Sequence, residues 1–333
     1  MSDTRKKIRY GIAGFGRFAE KAIAPAIQAS ANSELVALQK RSLSEARAKA
    51  AGHGIPLAFD SVSDMVAHPG VDAVFLASAN SCHHPETLQA ARAGKHVLVE
   101  KPMAMNVREA EEMIAVCARH RVKLMVGHMV RLSPVVCRMR EILQSGRIGT
   151  VHTARAEFIY DARLSHRRWL TERSVAGGGP VFDIGVHCLD TLRFVLDDEV
   201  ASVKSELEPW PTSEQTESTA HLLLRFGRGT IATMFCSFVS PVRRTFIEIV
   251  GSEGILSAEE FTVSGKPLRL VLTRGREDKP LETVVEEIVV PNLYVEEVTQ
   301  FSHCILMDRE PELSGPNGLE NQRTIDQAMV RHG

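Results

Sequence analysis

Short apolar segments and helical segments alternate along the first 130 residues of the chain. The apolar segments run almost without polar interruption, which is typical of parallel strands covered on both faces. We predict strands at 8–13, 35–39, 71–77, 96–100 and 122–127, and helices at 17–30, 43–52, 61–67, 83–93 and 106–120. Asn106 stands where the last of these helices needs a capping residue. The alternation predicts a doubly wound α/β domain.

The second half of the chain has a different pattern. After a predicted helix at 134–145, segments such as "RTFIEIV" alternate apolar and polar residues and are joined by short glycine-rich connections. We predict strands within "TVHTARAEFIY" and near 200–207, 218–226, 229–239, 243–250, 254–257 and 267–274, with closing helices near 294–309 and 317–331. This pattern predicts a large, mostly antiparallel sheet with one buried face. The change of pattern separates an N-terminal domain, 1–128, from a C-terminal α/β domain, 129–333.

Composition and charge narrow the class of protein. The 333 residues are enough for two domains, and a net charge of −1 argues against a nucleic-acid partner. Six scattered cysteines without a C-x-x-C pair fit reduced thiols. The start "MSDTRKKIRYGIAGFG" lacks the apolar stretch of a signal peptide, and no apolar run approaches the ~20 residues of a membrane span. We therefore expect a cytoplasmic protein without a membrane partner.

A glycine loop follows the first predicted strand. Gly14-x-Gly16-x-x-Ala19 opens a helix directly after the strand, which is the context that a dinucleotide-binding (Rossmann) loop requires. Gly14 suits a tight turn, Gly16 lets a pyrophosphate approach the backbone, and Ala19 allows close packing of helix on strand. The alternative is a glycine-rich turn without a ligand. The remaining loop residues are also expected cofactor contacts: Phe15, Arg17 and Phe18.

The end of the second strand bears on cofactor preference. An NAD-specific site would place Asp or Glu there, but this chain has Lys40, Arg41 and Ser42. Two cations and a hydroxyl suit a 2′-phosphate, so we expect NADP to be preferred over NAD. An ordinary solvated loop is the alternative.

Two further segments carry candidate chemistry. Glu100 and Lys101 lie at the C-terminal edge of a central strand, where ligands bind in open α/β sheets, and we expect Ser78 and Glu100 at the cofactor. In "AGGGPVFDIGVHCLD", Asp183 and His187 are one helical turn apart, behind glycines that allow another group to come close. Taken alone, that pair also fits a solvated surface helix.

Taken together, these motifs resemble the Gfo/Idh/MocA family of sugar oxidoreductases. The glycine loop, "GKHVLVEKP" and "GGGPVFDIGVH" occur in the family's order, and the match runs from Tyr10 to about Phe194. The resemblance implies a Rossmann domain, followed by an α/β domain whose sheet often mediates dimerisation. A homodimer or homotetramer through that sheet is therefore expected.

The resemblance also implies roles for single residues. Lys101 would contact substrate and cofactor, Asp183 would bind or polarise the reacting sugar oxygen, and His187 would donate or accept the proton. Asn80 and His83 match the family's loop beside the nicotinamide ribose. Histidine titrates near neutral pH, which suits the proton transfer that accompanies hydride transfer.

Several positions depart from the family pattern or have no assigned role. Ala79 replaces the usual proline, Leu132 replaces a common aromatic residue, and Leu170 stands where relatives often have arginine. Arg131 matches a recurrent arginine, and Trp169 fits either the core or a sugar platform.

The expected function is hydride transfer between NADP(H) and a sugar or cyclitol. An inositol- or aldose-type dehydrogenase that uses NAD(P), and a non-catalytic NADP sensor on the same fold, stay as alternatives. A metal enzyme built on Asp183 and His187 would leave the glycine loop unexplained, so no metal is expected.

Overall fold

The structure is a computed structural model that describes residues 7–275 and 281–331. As far as it is described, the chain divides into two compact units, Met1–Gly127 with Tyr294–Gln322 and His128–Leu293 with Arg323–Gly333. The N-terminal part of the first unit ends at Gly127, one residue before the predicted end of the N-terminal domain at residue 128. The segment 294–322 packs with the N-terminal residues rather than with the C-terminal domain where we expected it. One reason is visible in the core, where the Tyr10 and Ser302 hydroxyls hydrogen-bond at 2.8 Å.

Six strands form a parallel sheet in the described part of the first unit. They are β1 (Ile8–Ala13), β2 (Ser33–Gln39), β3 (Leu57–Phe59), β4 (Ala73–Leu76), β5 (His96–Val99) and β6 (Leu124–Val126), in the order β3-β2-β1-β4-β5-β6. This is the doubly wound order, in which ligands bind at the carboxyl ends of the strands beside the β1–β4 switch point. β3 was not predicted, because its three residues are too few to show a strand pattern in the sequence.

Helices cover both faces of such a sheet. The chain enters a π-helical turn at Ala19–Ile23 and continues as α1 (Ala24–Ala29). The next helices are α2 (Leu43–His53), α3 (Val62–Ala67), α4 (Asn80–Arg92) and α5 (Val107–Arg119). Ser42, Ser61 and Asn106 cap three of them by accepting a backbone N–H of the first turn, as predicted for Asn106.

The second unit contains an eight-stranded sheet within the described ranges. Its strands are β7 (Val151–Asp161), β8 (Val200–Glu208), β9 (Thr219–Phe226), β10 (Ile231–Ser237), β11 (Val239–Gly251), β12 (Gly254–Glu259), β13 (Lys266–Arg274) and β14 (Glu282–Val290). The order is β14-β13-β12-β11-β7-β10-β9-β8, and every pair is antiparallel except β7 with β10. Burial alternates along β9, which confirms the predicted sheet with one buried face.

The remaining helices are α6 (Pro134–Gln144), α7 (Arg173–Ala176), α8 (Val186–Leu196), α9 (Leu293–Leu306) and α10 (Gly315–Ala328). α6 packs on α8 and on β13 and β14, and α8 packs on β7, so these two helices cover the sheet of the second unit. A π-helical turn at Val181–Gly185 leads directly into α8. None of the helices that the structure describes is long and apolar enough to cross a membrane.

Candidate active site

The glycine loop has the geometry that a dinucleotide site requires. Gly14 has a φ of +72°, and a Cβ on it would lie 2.6 Å from the Ser78 Cα, so only glycine fits there. Gly16 is exposed, and the nearest atom to its ideal Cβ position is the Gly14 oxygen at 3.8 Å. Ala19 is 1% exposed and lets the helix pack closely on the sheet. The turn, the open backbone and the close packing are the three features that the sequence predicted.

The other predicted residues of the loop differ in exposure. Phe15 is buried, with its ring 5.6 Å from that of His53. Arg17 is exposed. The Phe18 ring lies edge-on to Tyr294 of α9, at 5.5 Å between centroids.

Gln39 anchors the loop and was missed by the sequence reasoning. Its side chain is buried, its Oε1 accepts a hydrogen bond from the Gly14 N–H at 3.1 Å, and its Nε2 donates to the Asp60 oxygen at 3.0 Å. The Gln39 backbone oxygen accepts from the Phe15 N–H at 2.9 Å. The end of β2 therefore fixes the loop conformation. The sequence gave no signal for Gln39, because an uncharged amide at a strand end is compatible with many surroundings.

Lys40, Arg41 and Ser42 follow β2 in three different environments. The Lys40 Nζ lies 3.5 Å from the Phe15 carbonyl oxygen and 3.2 Å from the Glu45 Oε2. Ser42 is the N-cap of α2 and accepts the Glu45 N–H at 3.4 Å. Arg41 is exposed. Lys40 is thus a cation held beside the glycine loop.

His83 differs from the expected cofactor contact. It is fully buried, with its Nδ1 2.9 Å from the Pro102 oxygen and its Nε2 3.3 Å from the Ser78 oxygen. Burial lowers the pKa of His83 to about 4, so the imidazole is neutral at neutral pH. His83 therefore lies between the turns after β4 and β5, and its neutral ring can donate to only one of these two carbonyl oxygens.

Ser78 and Asn80 lie at the end of β4 and the start of α4. The Ser78 Oγ donates to the Glu86 Oε2 at 2.6 Å, and burial raises the pKa of Glu86 to about 7. Asn80 is 5% exposed. The Ser78 hydroxyl is thus engaged with Glu86, while its backbone closely approaches Gly14.

Lys101 lies at the carboxyl edge of β5, as the sequence predicted. It is half-buried, precedes a cis proline, and donates its backbone N–H to the Glu100 Oε2 at 3.2 Å.

Glu297 of α9 is completely buried, and neither of its oxygens has a hydrogen-bond partner among the described residues. Burial, and then the charge of Glu100, raise the pKa of Glu297 well above its usual range. The sequence gave no reason to single out Glu297, because another glutamate, Glu296, directly precedes it.

In the second unit, Asp183 is held by two side chains that the sequence did not assign. The Arg167 guanidinium donates to both carboxylate oxygens, at 2.8 and 2.9 Å. The Tyr160 hydroxyl donates to the Asp183 Oδ2 at 3.1 Å and accepts from Arg167 at 3.3 Å. Asp183 is 4% exposed, and its negative charge raises the pKa of Arg167. The cluster fixes the orientation of a buried carboxylate.

His187 is buried in the first turn of α8, directly after the π-helical turn that carries Asp183. Its ring lies 6.1 Å from the Phe158 ring on β7. The surface-helix alternative for this pair is therefore wrong, because both side chains are buried. π-helical turns are common at functional sites. An imidazole and an oriented carboxylate on consecutive turns have the chemistry for proton transfer at a bound hydroxyl or carbonyl.

Two of the glycines before Asp183 leave room for other groups of the same chain. A Cβ on Gly178 would collide with the Phe182 ring, and one on Gly179 would collide with the Glu217 backbone. The buried Glu217 Oε1 accepts the Gly179 and Val181 N–H groups at 2.9 and 3.2 Å. At Gly178 and Gly179, the groups that come close belong to this chain, and Glu217 caps this helical segment.

Arg131 and Leu170 are both buried in the second unit. The Arg131 Nε donates to the buried Asp190 Oδ2 at 2.7 Å. Burial alone would raise the pKa of Asp190, but the charges of His128 and Arg131 outweigh it and bring it to about 2. Leu170 is 2% exposed, whereas Trp169 is half-buried, with the Arg167 guanidinium 6.0 Å from its ring.

The predicted catalytic residues are divided between the units. Lys101 belongs to the first unit, and Asp183 and His187 belong to the second. Across residues 7–275 and 281–331, no three His, Cys, Asp or Glu side chains are grouped to hold a metal ion.

Comparison with known proteins gives matches along nearly the whole chain. Residues 8–128 match the model of an oxidoreductase family with an NAD-binding Rossmann fold, GFO_IDH_MocA, and residues 136–257 match a GFO/IDH/MocA C-terminal domain. The 1,5-anhydro-D-fructose reductase of Ensifer adhaerens is 33% identical, with 93% of this chain and 92% of that protein covered. The D-xylose 1-dehydrogenase [NADP(+)] of Haloarcula marismortui is 28% identical, with 97% and 90% covered.

A solved structure shows a similar fold. The aldose-aldose oxidoreductase from Caulobacter crescentus, complexed with glycerol, superposes with a TM-score of 0.86 at 27% identity and covers 97% of this chain and 98% of its own.

Proposed function

We propose that this chain, which belongs to the Gfo/Idh/MocA family of oxidoreductases, is an NADP(H)-dependent enzyme that transfers hydride to or from a sugar or cyclitol. Reduction of 1,5-anhydro-D-fructose is the reaction we favour within that class, because a reductase of this sugar is 33% identical over nearly the whole chain. The observation that carries the proposal is the buried Asp183, oriented by Arg167 and Tyr160, one turn before His187.

The residues of the first unit fit a dinucleotide. Gly14 and Gly16 provide the turn and the open backbone, and Lys40 places an ammonium beside the loop where an NAD-specific site would have an acid. Because an ammonium attracts a phosphate and an acid repels it, we infer that NADP(H) binds more tightly than NAD(H). When bound, the nicotinamide supplies or accepts the hydride.

The remaining chemistry is a proton transfer. We assign His187 as the group that gives or takes the proton of the reacting sugar oxygen, since histidine exchanges protons near neutral pH. Asp183 binds that oxygen and orients His187. Lys101 adds positive charge as the oxygen becomes alkoxide-like. These roles rest on the chemistry of the side chains and on family membership.

The open face of the second sheet supports the proposed homodimer or homotetramer. Leu223, Ile255 and Val285 are 47%, 40% and 41% exposed on β9, β12 and β14. The exposed Arg244 also pairs with Glu157 at 2.6 Å on neighbouring strands. Exposed apolar side chains on the open face of a sheet, here with a charged pair on its central strands, are a feature of subunit interfaces. The six cysteines are free thiols, which agrees with the cytoplasmic location we propose.

A substrate panel tests the proposal. The purified chain is mixed with NADPH or NADP and with sugars, anhydrosugars and inositols, and the nicotinamide absorbance is followed. We expect turnover of at least one polyhydroxylated substrate, with NADPH used more efficiently than NADH. Turnover of amino acids or aromatic diols alone would contradict it, and stoichiometric binding of NADPH without turnover of any substrate would indicate a sensor.

A further inference from the structure

The Lys40–Glu45 ion pair takes no part in the proposed chemistry, yet it lies where we expect cofactor preference to be set. The Lys40 Nζ is 3.2 Å from the Glu45 Oε2, and the two side chains are 21% and 66% exposed. A cation that we assign to a cofactor phosphate therefore already has an anionic partner within the chain.

Hydrogen bonds fix the backbones of both residues of this pair. The Lys40 N–H donates to the Phe59 oxygen of β3 at 3.1 Å, and the Lys40 Nζ reaches the Phe15 oxygen of the glycine loop at 3.5 Å. Glu45 lies in the first turn of α2, where its N–H is bonded to the capping Ser42 Oγ. The Glu45 carboxylate thus reaches back to Lys40 from a fixed helix start.

The charges decide what happens when a phosphate arrives. A phosphate monoester carries about −1.5 to −2 at neutral pH, compared with −1 for a carboxylate. It would therefore displace Glu45 from the Lys40 ammonium, but it would still experience repulsion from the nearby carboxylate. A nucleotide without the 2′-phosphate leaves the Lys40–Glu45 pair intact and meets neither cost.

We propose that Glu45 is a specificity-determining residue, an internal counter-charge that competes with the cofactor 2′-phosphate for Lys40 and limits the preference for NADP(H) over NAD(H). The inference rests on the NADP preference under the proposed function. Exposed ion pairs correspond to at most about a fivefold change in an equilibrium constant. Because a phosphate carries more charge than a carboxylate, we expect loss of the Glu45 charge to raise the affinity for a 2′-phosphate by about three- to tenfold.

Calorimetric titration of the full chain with adenosine 2′,5′-bisphosphate and with AMP, at low ionic strength, measures this effect. Glu45→Gln should bind the bisphosphate about three- to tenfold more tightly and AMP within about twofold of wild type. Glutamine is also accepted at this position of a capping box, so α2 is preserved. Glu34→Gln is the matched control, because it removes the same charge from an exposed position near the other end of β2 and should change neither affinity.

The effect of Glu45 should also depend on Lys40. In a Lys40→Gln background, Glu45→Gln should alter bisphosphate affinity by less than about twofold. Unchanged or weaker bisphosphate binding by Glu45→Gln, or an equal gain for AMP, overturns the inference while the NADP proposal stands. Wild-type protein that binds AMP as tightly as the bisphosphate overturns the NADP preference and this inference with it.

Discussion

Replacing Arg167 by glutamine removes the charged clamp on Asp183, that is, the guanidinium that holds its carboxylate. We expect a large fall in sugar turnover and only a small fall in the free energy of unfolding. Arg167 donates to both oxygens of this carboxylate, at 2.8 and 2.9 Å, and the carboxylate is 4% exposed. Glutamine cannot reproduce the planar fork or its charge. The Tyr160 hydroxyl stays as a donor to one oxygen only, so the carboxylate is free to rotate away from the orientation that the reacting oxygen requires.

The magnitude follows from the number of bonds and their exposure. A hydrogen bond to a charged group contributes about 1.5–3 kcal/mol, so two bonds set an upper bound of about 3–6 kcal/mol. The Arg167 side chain is 41% exposed, so water replaces part of what is lost. We expect about 1.5–3 kcal/mol of lost transition-state stabilisation, or about 10- to 150-fold in kcat/KM. The free energy of unfolding should fall by only about 1 kcal/mol.

The assay compares three variants with a sugar that the wild type turns over with NADPH. Arg168→Gln is the matched control, because it removes the same charge from the adjacent exposed arginine. Arg167→Lys retains the charge without the fork and should fall between wild type and Arg167→Gln. The NADPH dissociation constant, measured by fluorescence titration, should stay within about twofold in all three, since the glycine loop and Lys40 belong to the first unit.

Two results would refute the reasoning. The first is equal kcat/KM for Arg167→Gln and Arg168→Gln, because the clamp would then be unnecessary. The second is a fall in activity that matches the fraction of unfolded protein, which would make Arg167 merely structural. In a background with Asp183→Asn, Arg167→Gln should cost little more, and full additivity would show that Arg167 does not act through Asp183.

Three further predictions concern other groups. His187→Ala should lower kcat by about 100- to 10,000-fold and leave NADPH affinity within a few-fold, and wild-type-like steady-state turnover would contradict its role. Lys40→Asp should cost about 1.5–3 kcal/mol of NADP(H) binding and move preference towards NADH, and equal loss of both cofactors in titrations would count against it. Glu297→Gln should become more stable relative to wild type as pH rises above about 4.5, because the folded wild type keeps a proton that its unfolded chain releases. Urea unfolding at pH 5 and 7 should show this difference growing by up to about 1.4 kcal/mol per pH unit, and an equal difference at both pH values would exclude it.

Helices whose capping residues and apolar spacing lie within one short segment were predictable from the sequence. The bounds of α2, α5 and α6 agree with the prediction within two residues, because caps and helical spacing lie inside each segment. β14 was missed because, in the described part of the chain, it is an edge strand that pairs with β13 alone and has mostly exposed residues, so no buried face appears in its pattern. The placement of 294–322 in the first unit depends on contacts such as that of Tyr10 with Ser302, which are 292 positions apart.

The site shows the same division between local and distant information. The spacing of Asp183 and His187, read with the family resemblance, led us to predict both as site residues, and the structure shows that both are buried. Arg167 and Tyr160 contact Asp183 from 16 and 23 positions away, and no periodicity links them to it. The glycine run correctly predicted a close approach, but the approaching groups at Gly178 and Gly179 are Phe182 and Glu217. Sequence spacing indicates that room is needed and does not identify the group that fills it.

The central strand of the second sheet has a consequence for synthesis of the chain. β7 lies between β11 and β10, and its Thr153 pairs with Ile231 and with Val250, which follow 78 and 97 residues later. At about 5–20 residues per second, a ribosome needs roughly 4–20 s to deliver those partners. Throughout that interval the eleven residues of β7 have neither edge covered, which is the condition under which nascent strands aggregate or are bound by chaperones. The central position of β7, between β10 and β11, therefore delays the pairing of both its edges until translation has passed residue 250.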